Sequence, residues 1–444
     1  MRLKTLSLKN IRLFGEEAQT IHFCEDKNVT IIVGNNGAGK STILDAIANQ
    51  LTVFTSQFQG NSLQQYKDTD IHIDDNGRLA PFLEVDATFG TTYNGDICIK
   101  RYRKGTEKKK TSESHYEEAR NYAFHLIDCI ENEQECNLPL LAYYGTGRGQ
   151  IQVPERKRNF QQVFSRWDCY NNSLVASTNF KRFFAWFDLL EDEERREKLE
   201  RKDFDYRSPM LEAVRYALNN FIDSKFANPR IETKPLRFVV NAISNGHSKE
   251  LRIEQLSDGY KMAIAMVADI ASRMAEANPE MENPLLATGI VLVDEIDLHL
   301  HPKWQKTIIK KLCEIFPNIQ FIVTSHSPTL LLGAIDLAQL IVLNDGTIKD
   351  ASADDFSTYD VSQILLSELF GLEGSRAPKW DEKIKEQDAL LAKHNLSDDD
   401  KHRLELLDKE LSTLSFGSTL ESIQTRQLIN RIANKLGIKD EKAI

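Results

Sequence analysis

Lys40 and Ser41 close the run Gly34-Asn35-Asn36-Gly37-Ala38-Gly39-Lys40-Ser41, which fits G-x-x-x-x-G-K-[ST] at every fixed position. Glycines at this spacing let backbone N–H groups curl around phosphate oxygens, and a helix beginning at the lysine adds the positive end of its dipole. An ammonium at position 40 would reach the outer phosphates of a nucleoside triphosphate, and the Ser41 hydroxyl would ligate Mg2+. Asn35, Asn36, Gly37, Ala38, Gly39 and Thr42 complete the expected cradle. A second pair, Asp294-Glu295, ends the apolar run that starts at Gly289. Adjacent acids at a strand end are commonly a solvated turn. Beside a phosphate loop they suit other work, Asp294 holding Mg2+ and Glu295 polarising an attacking water as general base. The third cluster, Thr324-Ser325-His326, ends another apolar run, 31 residues beyond Glu295. That placement makes His326 a candidate γ-phosphate contact; a lone histidine at a strand end is usually structural or exposed.

These side chains act together only if several strands end at one edge of a sheet. Residues 2–10 alternate in polarity and 28–33 form a β-branched run, with an apolar helix pattern following at 40–51. Residues 54–79 read as a surface excursion, and 81–90 with 96–103 as a hairpin about Asn94-Gly95. The pattern is helical from about 113 to 226, and strands return at 236–243 and 249–254. From 256 to 349 helices and strands alternate, as in a parallel α/β sheet, with helices at 258–275 and 302–316. Amphipathic helices are predicted at 379–393, 397–413 and 419–436. The fold class is therefore α/β, organised as an N-terminal lobe 1–112, a helical insertion 113–235, a second lobe 236–350 and a helical tail 351–444.

Bulk properties narrow the classes further. The chain of 444 residues is longer than a single core usually supports, and its 41% hydrophobic and 27% charged residues are ordinary for a globular protein. The sequence has no apolar run of about 18 residues and no signal-peptide pattern, so no membrane role is expected. Six cysteines without C-x-x-C spacing read as reduced thiols in a cytoplasmic protein. The net charge of −10 argues against wholesale phosphate-backbone binding. Lys100 to Lys110 nevertheless holds seven basic residues and an aromatic, either a DNA-tracking patch or a solvated hairpin.

Leu256-Ser257-Asp258-Gly259 opens a predicted helix, and taken alone Ser257 is a good N-cap. Following the phosphate loop and preceding Asp294-Glu295 and His326, it resembles the signature of ABC-type ATPases. The opening Leu-Ser-Leu-Lys-Asn-Ile-Arg-Leu-Phe looks like the RecF/SMC branch of that family. Asp-Glu-Ile-Asp-Leu-His-Leu-His-Pro is similar to its OLD-like members, and Tyr143-Tyr144-Gly145-Thr146-Gly147-Arg148 with the helical tail to the PtuA-type ATPases of Septu anti-phage systems.

This resemblance implies an ABC-type head, with a mixed sheet, a phosphate-loop core and a helical subdomain, that hydrolyses ATP in a head-to-tail dimer. Ser257 and Gly259 of one chain would grip the ATP held by Lys40, Ser41, Asp294, Glu295 and His326 of the other. Ile296 to Pro302 would be the D-loop, lying across that interface. It further implies a homo-oligomer carrying an HNH-type nuclease on its C-terminal helices. A RecF-like DNA loader is the alternative. Asp258 stands where the family has glycine, and Gln150 is the nearest candidate for the Q-loop glutamine. The interval of 217 positions from Lys40 to Ser257 lacks sustained heptads, which excludes an SMC-length coiled coil. The tail offers only Asp398-Asp399-Asp400 at a helix start, so no nuclease of the chain's own is expected.

Overall fold

A computed structural model describes residues 1–93, 95–107, 112–149, 164–176, 181–222, 226–233, 236–244, 247–344, 346–351, 356, 358–367, 369–370, 377–391 and 397–411. The chain divides into two compact units, 1–358 and 359–444. In the first, the strands β1 (Arg2–Lys9), β2 (Gln19–His22) and β3 (Val29–Gly34) lead into helix α1 (Lys40–Thr55). Then come β4 (Phe82–Gly90), β5 (Asp96–Lys104), α2 (Glu117–Glu131), β6 (Leu140–Tyr144), α3 (Lys181–Arg201) and α4 (Pro209–Phe221). A three-stranded sheet of β7 (Phe226–Thr233), β8 (Leu236–Ser244) and β9 (His247–Arg252) precedes α5 (Asp258–Ala277). The unit closes with β10 (Gly289–Val293), α6 (Pro302–Gln305), α7 (Ile308–Ile315), β11 (Ile319–Thr324), α8 (Pro328–Ala334), β12 (Ala338–Asn344) and β13 (Thr347–Ala351).

The central sheet has six strands in the order β13-β12-β3-β11-β10-β6, all parallel except β13. Its inner strands read Val-Thr-Ile-Ile-Val, Gly-Ile-Val-Leu-Val and Ile-Gln-Phe-Ile-Val-Thr because helices cover both faces and every position must tolerate burial. Register sets Thr324 beside Ile32 and Val293 beside Val323, so β3, β11 and β10 end together at one edge. The phosphate-loop glycines, Asp294-Glu295 and His326 follow those ends. Only glycine fits where β10 begins beside β6, since a Cβ on Gly289 would lie 2.2 Å from the Leu140 carbonyl oxygen. An antiparallel sheet, β2-β1-β4-β5, packs over α1 through Leu6, Leu8, Val85, Ile43 and Ile47.

Three expectations differ, the first being that the stretch read as helical from about 113 to 226 contains β6, a buried strand paired with β10 in the central sheet. The helix anticipated over 302–316 is divided into α6 and α7 at Lys306–Thr307. A Cβ on Gly333 would lie 1.9 Å from the Lys306 carbonyl oxygen, so α8 packs directly against the break and holds it. Strand β7 was hidden by Asn228-Pro229, which fall at the shift in its pairing with β8 between Ala227 and Arg230; proline suits such an irregularity.

In the second unit, α9 (Val361–Leu366) is followed by an antiparallel pair, α10 (Pro378–Leu391) and α11 (Asp398–Leu411). Leu390, Leu407 and Leu411 form its core with Trp380, Ile384 and Leu404. Arg403 makes two bonds of 2.7 Å to Glu386 across the pair. The helix expected at 419–436 lies outside the described residues.

Candidate active site

The loop after β3 turns through glycines in backbone regions that side chains avoid: Gly37 has φ 82° and Gly39 φ 106°. Gly39 is the N-cap of α1 and lies against the Phe14 ring, where a Cβ would meet it at 3.2 Å. Asn35, Asn36 and Gly37 are exposed at the rim, while Ala38, Lys40 and Thr42 are buried. The Lys40 ammonium donates to the carbonyl oxygens of Gly34 at 2.8 Å and Asn35 at 2.9 Å. Burial lowers its pKa against the attraction of Asp294, Glu295 and Asp297. A positive group is thus held at the mouth of the loop by neutral acceptors that a phosphate would outcompete.

Across the edge, the Ser41 hydroxyl donates to one Asp294 oxygen at 2.8 Å, and Thr324 donates to the other at 2.6 Å. The same Thr324 hydroxyl accepts the Glu295 backbone N–H at 2.7 Å. Glu295 itself sits at φ 48°, a strained conformation for a residue with a side chain. Asp294 is buried, and its backbone N–H is taken by the Tyr144 carbonyl at 2.8 Å. The Ser41 hydroxyl and the Asp294 carboxylate meet as the donor set of a Mg2+ site would, hard oxygens beside a phosphate cradle. Among the described residues no group of three ligating side chains surrounds His299 and His301.

His326 follows Thr324 and Ser325 and is half-buried. Burial lowers its pKa from 6.5, and Lys40 adds to the shift, while Asp297, Glu295 and Asp294 oppose it. The imidazole is therefore neutral at pH 7 and able to donate from one nitrogen while accepting at the other.

Ser257 lies at the exposed start of α5 with no capping bond from its side chain. Gly259 packs against the segment after Glu295: a Cβ there would sit 2.2 Å from the His299 carbonyl oxygen. Tyr260 meets Trp304 edge-on, with ring centroids 4.4 Å apart. Helix α5 is anchored further along by a buried pair, Arg273 to Asp269 at 2.8 Å, with Tyr144 donating to the same carboxylate at 2.9 Å.

Arg12, after the first strand, pairs with Asp45 at 2.7 Å and Asp70 at 3.0 Å. Three of the seven basic residues in the run are paired within the chain. Arg101 is buried and donates to the Asn49 and Gln64 carbonyls, Lys100 pairs with Glu84, and Arg103 bonds Asp68. Lys108, Lys109, Lys110 and Gln150 lie outside the described residues. Sequence reasoning gave no role to Thr324, although its place directly after an apolar strand was a signal, and none to Gln305, which nothing local distinguished.

An AAA-domain family model matches residues 5–220, and a second AAA-domain model matches residues 160–332. A relative from Vibrio cholerae, the "Retron Vc95 probable ATPase", is 30% identical over 394 residues, 78% of this chain and 74% of its own. The "Septu protein PtuA" of Bacillus mycoides is 26% identical over 400 residues, 88% of this chain and 47% of its own. Among solved structures, an SMC head bound to the C-winged helix domain of ScpA has a TM-score of 0.47 and 17% identity, covering 79% of this chain and 98% of that one.

Proposed function

Because this chain belongs to the AAA/ABC-type ATPase family of the retron and Septu ATPases, we propose that it hydrolyses ATP in a head-to-tail dimer and thereby controls an effector nuclease in phage defence. The observation that carries the ATPase assignment is the linked set Ser41, Asp294, Thr324 and Glu295 beside the Lys40 cradle. It puts a cation, a hydroxyl and two acids with different environments around one strand edge.

In this reading the loop amides and Lys40 bind the triphosphate. Ser41 and Asp294 would hold a Mg2+ ion, which would supply neutralising charge to the phosphate oxygens. Glu295 takes a proton from the attacking water, and neutral His326 donates to the γ-phosphate. Ser257, exposed at the start of α5 with no capping bond from its side chain, would with Gly259 complete the partner's site. The α10–α11 pair, with the chain beyond it, is the docking surface assigned to an HNH-type nuclease. The paired state of Arg12, Lys100, Arg101 and Arg103 weighs against the DNA-loader alternative.

The test is a tagged Glu295→Gln variant, incubated with ATP and Mg2+ and run on a sizing column beside wild type. ATP retained in a closed dimer, with turnover lowered about 10²–10⁴-fold as expected on losing a general base, supports the assignment. Ser257→Arg should stop turnover while ATP binding to the single chain persists. Wild-type turnover in Glu295→Gln would sink the base assignment. Capture of nucleic acid without a stoichiometric nuclease on the trapped dimer would favour the loader.

A further inference from the structure

Gln305 closes α6, the four-residue helix between the D-loop and α7, and its side-chain amide is saturated by two loops. The amide nitrogen donates to the Leu300 carbonyl at 3.0 Å and the Asp297 carbonyl at 3.3 Å. The amide oxygen accepts from the Ser327 hydroxyl at 2.8 Å. Ser327 is the residue after His326, and its oxygen in turn accepts the Leu330 backbone N–H at 3.1 Å, capping α8. Its own N–H donates to the Ser325 hydroxyl at 2.9 Å, so His326 is bracketed on both sides by one hydrogen-bonded turn.

The segment on the other side is the one that follows Glu295. It has two residues at positive φ, Glu295 at 48° and His299 at 60°, and runs through consecutive turns, Leu298 N–H to Glu295 O at 2.9 Å and Leu300 N–H to Asp297 O at 3.0 Å. A strained loop keeps one geometry only where its surroundings over-determine it. Gln305 binds the loop's carbonyls at two points and the histidine turn at a third. Its neighbour Trp304 is buried under Tyr260 of the signature helix, and the same helix touches the loop through Gly259.

We propose that Gln305 is a positioning residue that locks the loop carrying Glu295 to the turn carrying His326, so that base and histidine are set at a fixed separation before substrate arrives. The proposal rests on the ATPase reading above. Its physical content is preorganisation: a catalytic pair held by fixed hydrogen bonds spends nothing on reorienting at the moment of reaction. The Gln305 amide is engaged by the Asp297 and Leu300 carbonyls and the Ser327 hydroxyl and acts through the two loops they belong to, so its loss should appear in turnover and in the titration of His326 and leave ATP affinity alone.

The experiment compares wild type, Gln305→Leu and Gln305→Glu by steady-state ATPase assay from pH 5.5 to 8.5, with nucleotide affinity and thermal melting measured alongside. Gln305→Glu keeps the acceptor for Ser327 but places carboxylate oxygens against the Asp297 and Leu300 carbonyls, which should loosen the loop. Both variants should lower kcat about tenfold or more, change KM for ATP less than twofold, and move the acid limb of the kcat profile. In a His326→Ala background Gln305→Leu should have little further effect, because residues acting as one unit are not additive. A folded Gln305→Leu with wild-type kcat and an unmoved acid limb overturns the proposal, as does full additivity with His326→Ala. If Gln305→Leu fails to fold, Gln305→Glu decides by the same criteria. An inactive wild type removes the ATPase reading and this proposal with it, whereas active wild type with unaffected variants removes this proposal alone.

Discussion

Thr324→Val is the sharpest perturbation of the site. The substitution keeps shape and β-branching while removing a hydroxyl that donates to Asp294 at 2.6 Å and accepts from the Glu295 N–H at 2.7 Å. The position is fully buried, so water does not replace either bond. A hydrogen bond to a charged group contributes about 1.5–3 kcal/mol and a neutral one about 1 kcal/mol, which sums to roughly 2.5–4 kcal/mol of lost stability. Urea denaturation should show a lower midpoint with an unchanged slope, the signature of lost stability in an otherwise intact fold. Turnover should fall further than stability explains, because Glu295 is held at φ 48° partly by this bond. A drop of roughly tenfold to hundredfold in kcat, part of the 10²–10⁴ a general base supplies, is expected with ATP binding retained. Thr324→Ser keeps the hydroxyl, loses one methyl at a cost of about 1 kcal/mol, and should keep most of the activity. Thr324→Val with wild-type stability and turnover would refute the assignment of Thr324 as the tie between the two acids.

Gly259→Ala places a Cβ 2.2 Å from the His299 carbonyl oxygen, so α5 and the D-loop must separate; overpacking of this kind costs about 1–3 kcal/mol, and a lowered denaturation midpoint with reduced turnover checks it. Activity should fall on acidification below pH 6.5 as His326 gains a proton, because burial and then Lys40 hold its pKa under that value in the fold. The unfolded chain takes up the proton first, so stability present above 6.5 is lost as pH falls through the folded pKa. His326→Gln should flatten that limb in a pH-resolved melting series.

The phosphate loop was legible because its chemistry is contiguous: the glycines, Lys40 and Ser41 need no partner distant in sequence to be recognised. Asp294-Glu295 and His326 were legible because buried parallel strands announce their own ends, and the register places those ends side by side. Thr324 and Gln305 were hidden because their meaning is non-local. Thr324 acts on a residue 30 positions away, and Gln305 reaches 22 positions forward to Ser327. The basic run was only partly legible for a related reason. Charge is visible in a sequence, but whether it is already spent is not, and Arg101 is occupied by carbonyls of Asn49 and Gln64. The break between α6 and α7 was equally invisible, since it is imposed by the approach of α8 at Gly333.

The positive φ values of Glu295 and His299 each carry a cost of order 1–3 kcal/mol, and a fold retains such strain only where neighbours hold it. Here the neighbours are Thr324 from β11, Gln305 from α6 and Gly259 from α5, three elements that meet the loop from different sides. Each tie also serves something else: Thr324 fixes Asp294, Gln305 fixes the turn bearing His326, and Gly259 fixes the helix headed by Ser257. Movement of the loop is therefore felt at the acid pair, the histidine and α5 alike. In a head-to-tail dimer Ser257 would serve the partner's ATP, so a loop that shifts in one site displaces a ligand of the other. Loss of activity alone will not separate these ties, because cutting any of them lowers turnover. They separate by which quantities move with it: stability alone for Thr324, the acid limb for Gln305, and stability together with the partner's site for Gly259.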